Sequence, residues 1–264
     1  MVDCPITVVD RGTITADTNA IIDGFVTATD SEPNPDLHRG EGVVFNLVLD
    51  HPDATVLWDT GSHPDAADGH WPGGLYEAFT HEDPRPIEAD LDSVGYSVED
   101  IDLVVQSHLH LDHAGGLYAF DGTDVPVVVH EAELKHAYYS TKTDEPDADE
   151  AYVLGDFDHD LNWRVVHGRR HTLLDGVELH HLPGHTAGLL GVFLDREEPV
   201  LVAGDQAYVR ANYESGRSMG ASLLHSTRDW YDSMERCREL ERRHDARVVF
   251  GHDADQIEAL GGTF

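Results

Sequence analysis

Short apolar runs that end in polar residues and glycines recur along this chain, and each reads as a buried strand running into a loop. Such runs predict strands at 5–9, 43–49, 55–58, 101–105, 125–129, 163–166, 177–182, 189–194, 200–203 and 247–250. The second and third are joined by Asp50, His51, Pro52 and Asp53, a hairpin signal. Helices are predicted over 87–94, where Gly95 ends the run, over 131–139, and over 227–243. In the last of these Trp230, Met234, Cys237 and Leu240 fall at helical spacing, a core stripe, with Ser226 or Thr227 as cap. The polar, Pro-rich stretch 29–42 reads as a loop, and 62–86, rich in Gly, Pro, His and Asp, as a long irregular loop near a site entrance. His63, His70 and His81 within it are expected to be solvated rather than ligating. The acidic insert 143–160 is expected to be a solvated face or mobile loop without chemistry.

Charge changes the picture most. Of 264 residues, 51 are acidic and 17 basic, a formal net charge of -34, with 33 Asp and only two Lys, Lys135 and Lys142. A surface this acidic repels nucleic acid and anionic membranes alike, so neither is an expected partner. The 40% of hydrophobic residues suffices for a core, and the length suits one domain, 1–264. Cys4 and Cys237 are far apart and form no metal-binding spacing, so both are expected as free thiols of a reducing interior. The start, MVDCPITVVDRG, lacks a basic region followed by an apolar stretch, and no run reaches transmembrane length; a soluble, cytoplasmic protein is expected.

Chemistry concentrates where the strands stop. The stretch VVQSHLHLDHAGG, 104–116, packs His108, His110, Asp112 and His113 into six residues after an apolar run. In an extended segment alternate residues share a face, so His108, His110 and Asp112 can converge while His113 turns off on the following bend. Imidazole and carboxylate together suit zinc and other first-row divalent ions, and four donors this close favour two adjacent metals over one. Further donors follow at later strand ends: His185 in PGHTAG, Asp205 after AG, and His252 after FG. Asp59, at the end of the 55–58 strand, is either a turn former or a group that orients a ligand histidine.

HLHLDH, PGHTAG, AGD and FGHD, with the earlier DTG, resemble the motifs of the metallo-β-lactamase superfamily over residues of about 43–255. Within it the order SVGY, SHLHLDHAGG, LPGHTAG, GDQAY, VVFGHD is most similar to that of the N-acyl homoserine lactonases, including Tyr208 three residues after Asp205. Leu111 departs from the Phe often found between the second His and the Asp in such proteins. The resemblance implies an α/β fold, an αββα sandwich of two mixed β-sheets with helices outside and the site at one edge. It also implies two divalent ions, Zn2+ first, with Mn2+ or Fe2+ as alternatives. One would take His108, His110 and His185, the other Asp112, His113 and His252, with Asp205 bridging. Class B β-lactamases usually carry Cys or His at or near the Asp205 position, which counts against that activity.

The implied reaction is opening of a lactone ring, in quorum quenching or on another small lactone or ester, by a hydroxide bridging the two metals. Tyr208 would donate to the developing oxyanion, and Asp112 would pass a proton to the leaving oxygen. A glyoxalase II-like thioesterase is the nearest alternative, but that family adds a helical region with basic residues, whereas the 12 residues after His252 hold no Lys or Arg. A structural metal-binding protein is the non-enzyme alternative; structural zinc sites are closed and Cys-rich, while seven His and Asp donors for two ions leave open positions. Chain-length preference and oligomeric state are left open by the sequence. The charge carries its own hypothesis, that the protein works in the high-salt cytoplasm of a halophile, because salt screens the self-repulsion of an acidic surface. Its melting temperature should be higher in molar KCl than in dilute buffer, and a Tm that is equal or lower in KCl would contradict the hypothesis.

Overall fold

The computed structural model describes residues 1–143 and 151–264. Twelve strands form two sheets. They are β1 (Ile6–Asp17), β2 (Arg39–His51), β3 (Ala54–Trp58), β4 (Thr80–Glu82), β5 (Leu103–Val105), β6 (Pro126–His130), β7 (Asn162–Val166), β8 (Arg170–Leu174), β9 (Val177–His181), β10 (Leu190–Leu194), β11 (Val200–Gly204) and β12 (Arg247–Phe250). The larger sheet runs in the order β4-β1-β2-β3-β5-β6-β7, antiparallel as far as β3 and parallel from β3 to β7. The smaller runs β12-β11-β10-β9-β8, antiparallel except for the parallel pair β11/β12.

Period-two alternation decides what each face of a sheet meets. In the larger sheet Ile6, Val8, Leu47, Leu49, Val56, Trp58, Leu103 and Val105 point into one cluster with Leu179, Val192, Val202 and Val249 of the smaller sheet. Their alternates Val9, Val48, Leu57 and Val104 face the other way and pack with Ile87 and Leu91 of the helix Ile87–Ser93, Ala137 of the helix Glu131–Lys142, and Phe157. On the far side Phe193, Leu201, Ala203 and Val248 meet Trp230, Met234 and Cys237 of the helix Thr227–His244. The result is the αββα sandwich, helices outside and two mixed sheets face to face. Ser226 caps the last helix by accepting from the Asp229 N–H.

Several expectations need correction. Arg39–Gly42 belongs to β2 rather than to a loop, and β8 is an unpredicted strand whose first three residues, Arg170, His171 and Thr172, are polar and give no apolar run. The 62–86 stretch holds a helical turn at Ala66–His70, a short helix Gly73–Ala78 and β4, so it is more regular than its Gly and Pro content suggests. His81 is not solvated: it is buried on β4, and its Nε2 lies 2.9 Å from the Arg11 carbonyl. His70 pairs with the buried Asp156 at 2.5 Å, and His63 stacks on His70 with ring centroids 3.7 Å apart. Of the acidic insert, 144–150 lies outside the described residues. Its remainder is no solvated face, since Tyr152, Asp156 and Phe157 are buried and Leu154–Phe157 is a short helix.

Arg11, on β1, is buried against Asp90 and donates to the carbonyls of Thr60 and Ser62, tying the turn after β3 to the helix Ile87–Ser93. A buried pair of this kind costs about 3–5 kcal/mol when one partner is removed. Cys4 and Cys237 are both buried and free, and burial pushes their thiols up to about 11 and about 12, which keeps them protonated. Among the described residues no helix is long and apolar enough to cross a membrane.

His130, at the end of β6, caps the helix that follows by accepting from the Ala132 N–H, and stacks on His181 at 3.8 Å. Burial first, and His181 second, lower its pKa from 6.5 to about 4. Across that window the unfolded chain takes up this proton and the folded chain does not, so stability is lost as the pH falls, by up to about 1.4 kcal/mol per pH unit for one site. Urea unfolding of His130→Asn, which keeps a capping side chain, should show a shallower loss of stability than the parent between neutral pH and pH about 4. Parallel losses in the two proteins would remove His130 from the linkage.

Candidate metal centre

Strand β5 is short, and the chain leaves it at once for a coiled loop. The N–H groups of His113 and Ala114 both donate to the His110 carbonyl at 2.9 Å. This is a tight turn, not the extended segment that alternation requires, so His108, His110, Asp112 and His113 are gathered by the turn itself. Gln106 closes the loop from inside, its Nε2 donating to the carbonyls of His108 and His113 at 3.1 and 2.9 Å. The two glycines after His113 let the loop lie against the turn that follows β3. A Cβ on Gly115 would come within 2.1 Å of the His63 nitrogen, and one on Gly116 within 2.4 Å of the Thr60 oxygen.

The remaining donors arrive from the smaller sheet. His185 sits in the loop between β9 and β10, Asp205 directly after β11, and His252 after β12 with Gly251 between. Because β11 and β12 are parallel neighbours, Asp205 and His252 leave the sheet at the same end. The sandwich therefore brings seven donors from four loops to one edge. Their exposures lie between 0 and 6%, so water is largely excluded.

Three groups have donor atoms within 4.8 Å of one another: His108, His110 and His185; His108, His113 and Asp205; and Asp112, His113 and His252. Asp205 Oδ2 is the common point, 3.2 Å from His252 Nε2, 3.4 Å from His113 Nε2, 3.5 Å from His185 Nε2 and 3.9 Å from His108 Nε2. Asp112 Oδ2 lies on the other side, 3.6 Å from His252 Nε2 and 3.7 Å from His113 Nε2.

The outward nitrogens of four of these rings, His108, His113, His185 and His252, are anchored, which leaves their inward ones facing the cluster. Asp59 stands at the end of β3 in the left-handed region, φ 59°, so it both turns the chain and orients a ring. It accepts from the Ser107 N–H and hydroxyl, each at 2.7 Å, and from His113 Nδ1 at 2.9 Å. His108 Nδ1 is 2.9 Å from the Ser107 hydroxyl, His185 Nδ1 2.7 Å from the Leu223 carbonyl, and His252 Nδ1 3.0 Å from the Val43 carbonyl. Tyr208 lies over the site, its ring 4.5 Å from that of His252 and 5.7 Å from that of His185.

Burial raises the Asp59 carboxyl, held back by the hydrogen bonds from His113 and Ser107. Burial alone would lower His113 and raise Asp205. Opposite charges reverse both: Asp205 and then Asp112 hold His113 well above the ordinary imidazole range, and His252 and then His113 hold Asp205 well below the ordinary carboxylate range. For His108 burial and the charges of His113 and His110 drive the pKa down, and the opposing pull of Asp205 does not reverse them. His108 Nε2, His113 Nε2 and Asp205 Oδ1 are buried with no hydrogen-bond partner. Buried polar atoms of this kind are costly unless something binds them, and convergent imidazole and carboxylate donors fit divalent metal ions.

Four contributors escaped sequence reading: Ser107, Gln106, Glu133 and Tyr152. Ser107 and Gln106 adjoin the histidine motif and could have been suspected as its supports. Glu133 is a carboxylate with no exposure in a helix that packs on the sheet, a position where an acid needs partners, but those partners come from other loops.

The Metallo-beta-lactamase superfamily description matches residues 39–252. The chain is 31% identical to N-acyl homoserine lactonase AiiB of Agrobacterium fabrum over 268 residues, which covers 96% of this chain and 95% of that protein. It is likewise 31% identical to an N-acyl homoserine lactonase of a Bacillus species over 226 residues, 81% of this chain and 82% of that protein. A solved structure of an N-acyl homoserine lactone hydrolase, with the product N-hexanoyl-L-homoserine bound at its catalytic metal centre, superimposes with a TM-score of 0.79. It covers 98% of this chain and 97% of its own at 24% identity, a likeness of fold.

Proposed function

Since this chain belongs to the metallo-beta-lactamase superfamily, we propose that it is a dinuclear metal-dependent hydrolase that opens the ring of an N-acyl homoserine lactone or a closely similar lactone. The observation that carries this reading is Asp205 Oδ2 within 3.9 Å of four imidazole nitrogens drawn from both sides of the cluster. A carboxylate so placed could be shared between two ions, and the chain is similar to lactonases along nearly all its length. The whole chain, 1–264, acts as one hydrolase domain.

His108, His110 and His185 would hold one ion, Asp112, His113 and His252 the other, and Asp205 would reach both. The mixed nitrogen and oxygen set suits Zn2+, with Mn2+ and Fe2+ also compatible. When bound, such ions polarise a carbonyl oxygen and lower the pKa of water from 15.7 to about 7. The residues supply the rest. Buried walls keep the reacting ester away from bulk water, which strengthens every charge interaction at the centre. Tyr208 would donate its hydroxyl to the lactone carbonyl oxygen as that oxygen gains charge. Asp112, at the edge of the cluster, accepts the proton of the attacking water and returns it to the ring oxygen as the ester bond breaks. Asp59 keeps the His113 ring, through its Nδ1, in the orientation that faces Nε2 inward. The strongly acidic surface supports work at high salt.

Purified protein in molar KCl, supplied with zinc or manganese, should release one proton per N-acyl homoserine lactone opened. Hydrolysis of a thioester without any lactone turnover, by protein that holds two metals, would overturn the assignment. Asp205→Ala should lose at least one of the two metals by elemental analysis, and retention of both would contradict the shared carboxylate. Tyr208→Phe should lower lactone turnover by about 100- to 1,000-fold while keeping its metals, and an unchanged rate would remove Tyr208 from the mechanism.

A further inference from the structure

Glu133 is buried completely, yet it belongs to no group of metal donors. Its carboxylate is shared among three separate pieces of the site. Oε1 accepts from the Leu109 N–H at 3.0 Å and from the Tyr152 hydroxyl at 2.8 Å, and Oε2 accepts from the Gly188 N–H at 3.0 Å. Leu109 lies between His108 and His110. Gly188 lies three residues after His185. The Tyr152 ring meets the His110 ring edge-on at 4.7 Å.

The three partners thus belong to the three histidines of one ion-binding set, and the His110 and His185 nitrogens of that set already lie 3.0 Å apart. The close approach of the two loops depends on this helix. A Cβ on Gly188 would come within 2.2 Å of the Glu133 nitrogen and 2.4 Å of its Cβ, so only glycine lets the His185 loop rest on the helix that carries Glu133. Asp59 does the corresponding work elsewhere, holding the His113 ring and, through Ser107, the His108 ring.

We infer that Glu133 is a positioning residue for the His108, His110 and His185 set, holding the two backbone loops and the Tyr152 ring that fix those three imidazoles, and so governs the affinity of one metal position far more than the other. This rests on the dinuclear reading above. The carboxylate is suited to the role because it accepts all three hydrogen bonds and donates none. In Glu133→Gln one acceptor oxygen becomes an NH2 group, which cannot accept from the Gly188 N–H or from the Leu109 N–H and Tyr152 hydroxyl. One loop is then released while the volume of the side chain is kept.

The test is a titration of metal-free protein with Zn2+ against a chromogenic chelator, repeated with Co2+, whose absorption bands report ligand geometry at each position. The parent should bind two ions. Glu133→Gln should bind one as the parent does and the other about 10- to 100-fold more weakly, with the Co2+ bands of that position altered. Tyr152→Phe removes only the hydroxyl and should weaken the same position by a smaller factor; it decides the question if Glu133→Gln does not fold. Parent affinities at both positions in the folded variants, or equal weakening of both, would overturn the role of Glu133. A parent that binds fewer than two ions would instead overturn the dinuclear reading, and the inference with it.

Discussion

Five imidazoles and two carboxylates, with donor atoms within 4.8 Å of one another in each group, have been taken almost wholly out of water at one edge of the sandwich. Desolvation on that scale works against any bare charge, and the molecule answers it twice. Inward atoms face each other, so that His113 and Asp205 stabilise opposite charges against the cost of burial. The outward nitrogens of His113, His108, His185 and His252 are tied to a carboxylate, a hydroxyl or a backbone carbonyl, which orients those four rings. The rest of the architecture serves this constraint. Two sheets are needed because no single strand end could deliver His185, Asp205 and His252 to the turn that carries His108, His110, Asp112 and His113.

Two buried carboxylates outside the three donor groups tie the loops of the centre together. Asp59 and Glu133 each accept three hydrogen bonds, and each joins segments that lie far apart in sequence: Asp59 holds the loop 48 to 54 residues on, and Glu133 the loops around Leu109 and Gly188. Arg11 plays a similar part at the turn after β3, where its guanidinium meets Asp90 and two backbone carbonyls. Glycines at 115, 116 and 188 permit these approaches by the absence of a side chain. The centre is thus embedded in polar contacts that are satisfied on their outer side and convergent on their inner side, the arrangement a metal-dependent hydrolase requires.

The contrast between the interior and the surface is a matter of charge placement. The chain carries a net charge of -34, yet the acids that matter to the site are four among 51: Asp59, Asp112, Glu133 and Asp205. Nearly all the others answer to solvent and salt rather than to chemistry. A few, such as Asp90 and Asp156, are buried with basic partners and act as fasteners between loops.

Strand runs such as Leu103–Val105 and Val200–Gly204 were legible because burial on both faces demands unbroken apolar sequence, and the donors were legible because they crowd at the ends of those runs. HLHLDH, PGHTAG, AGD and FGHD carried their meaning locally, in residue type and spacing, so seven donors could be named before any geometry was known. Elements and contacts that depend on distant partners could not be read in the same way. β8 and the helical turns of 62–86 have weak local patterns, and His81 was misread because its burial is imposed by β1, seventy residues away. The coiled geometry of 107–116 was hidden too, since alternation is a property of strands and the loop is shaped by Gln106 and by the turn after β3. Residue type and spacing alone are enough to say which side chains could bind metal and where strands come to an end. Which of them converge on one carboxylate oxygen, and that Glu133 and Tyr152 stand behind them, emerges with packing, because hydrogen bonds and close approaches between distant loops exist only once the two sheets have come together.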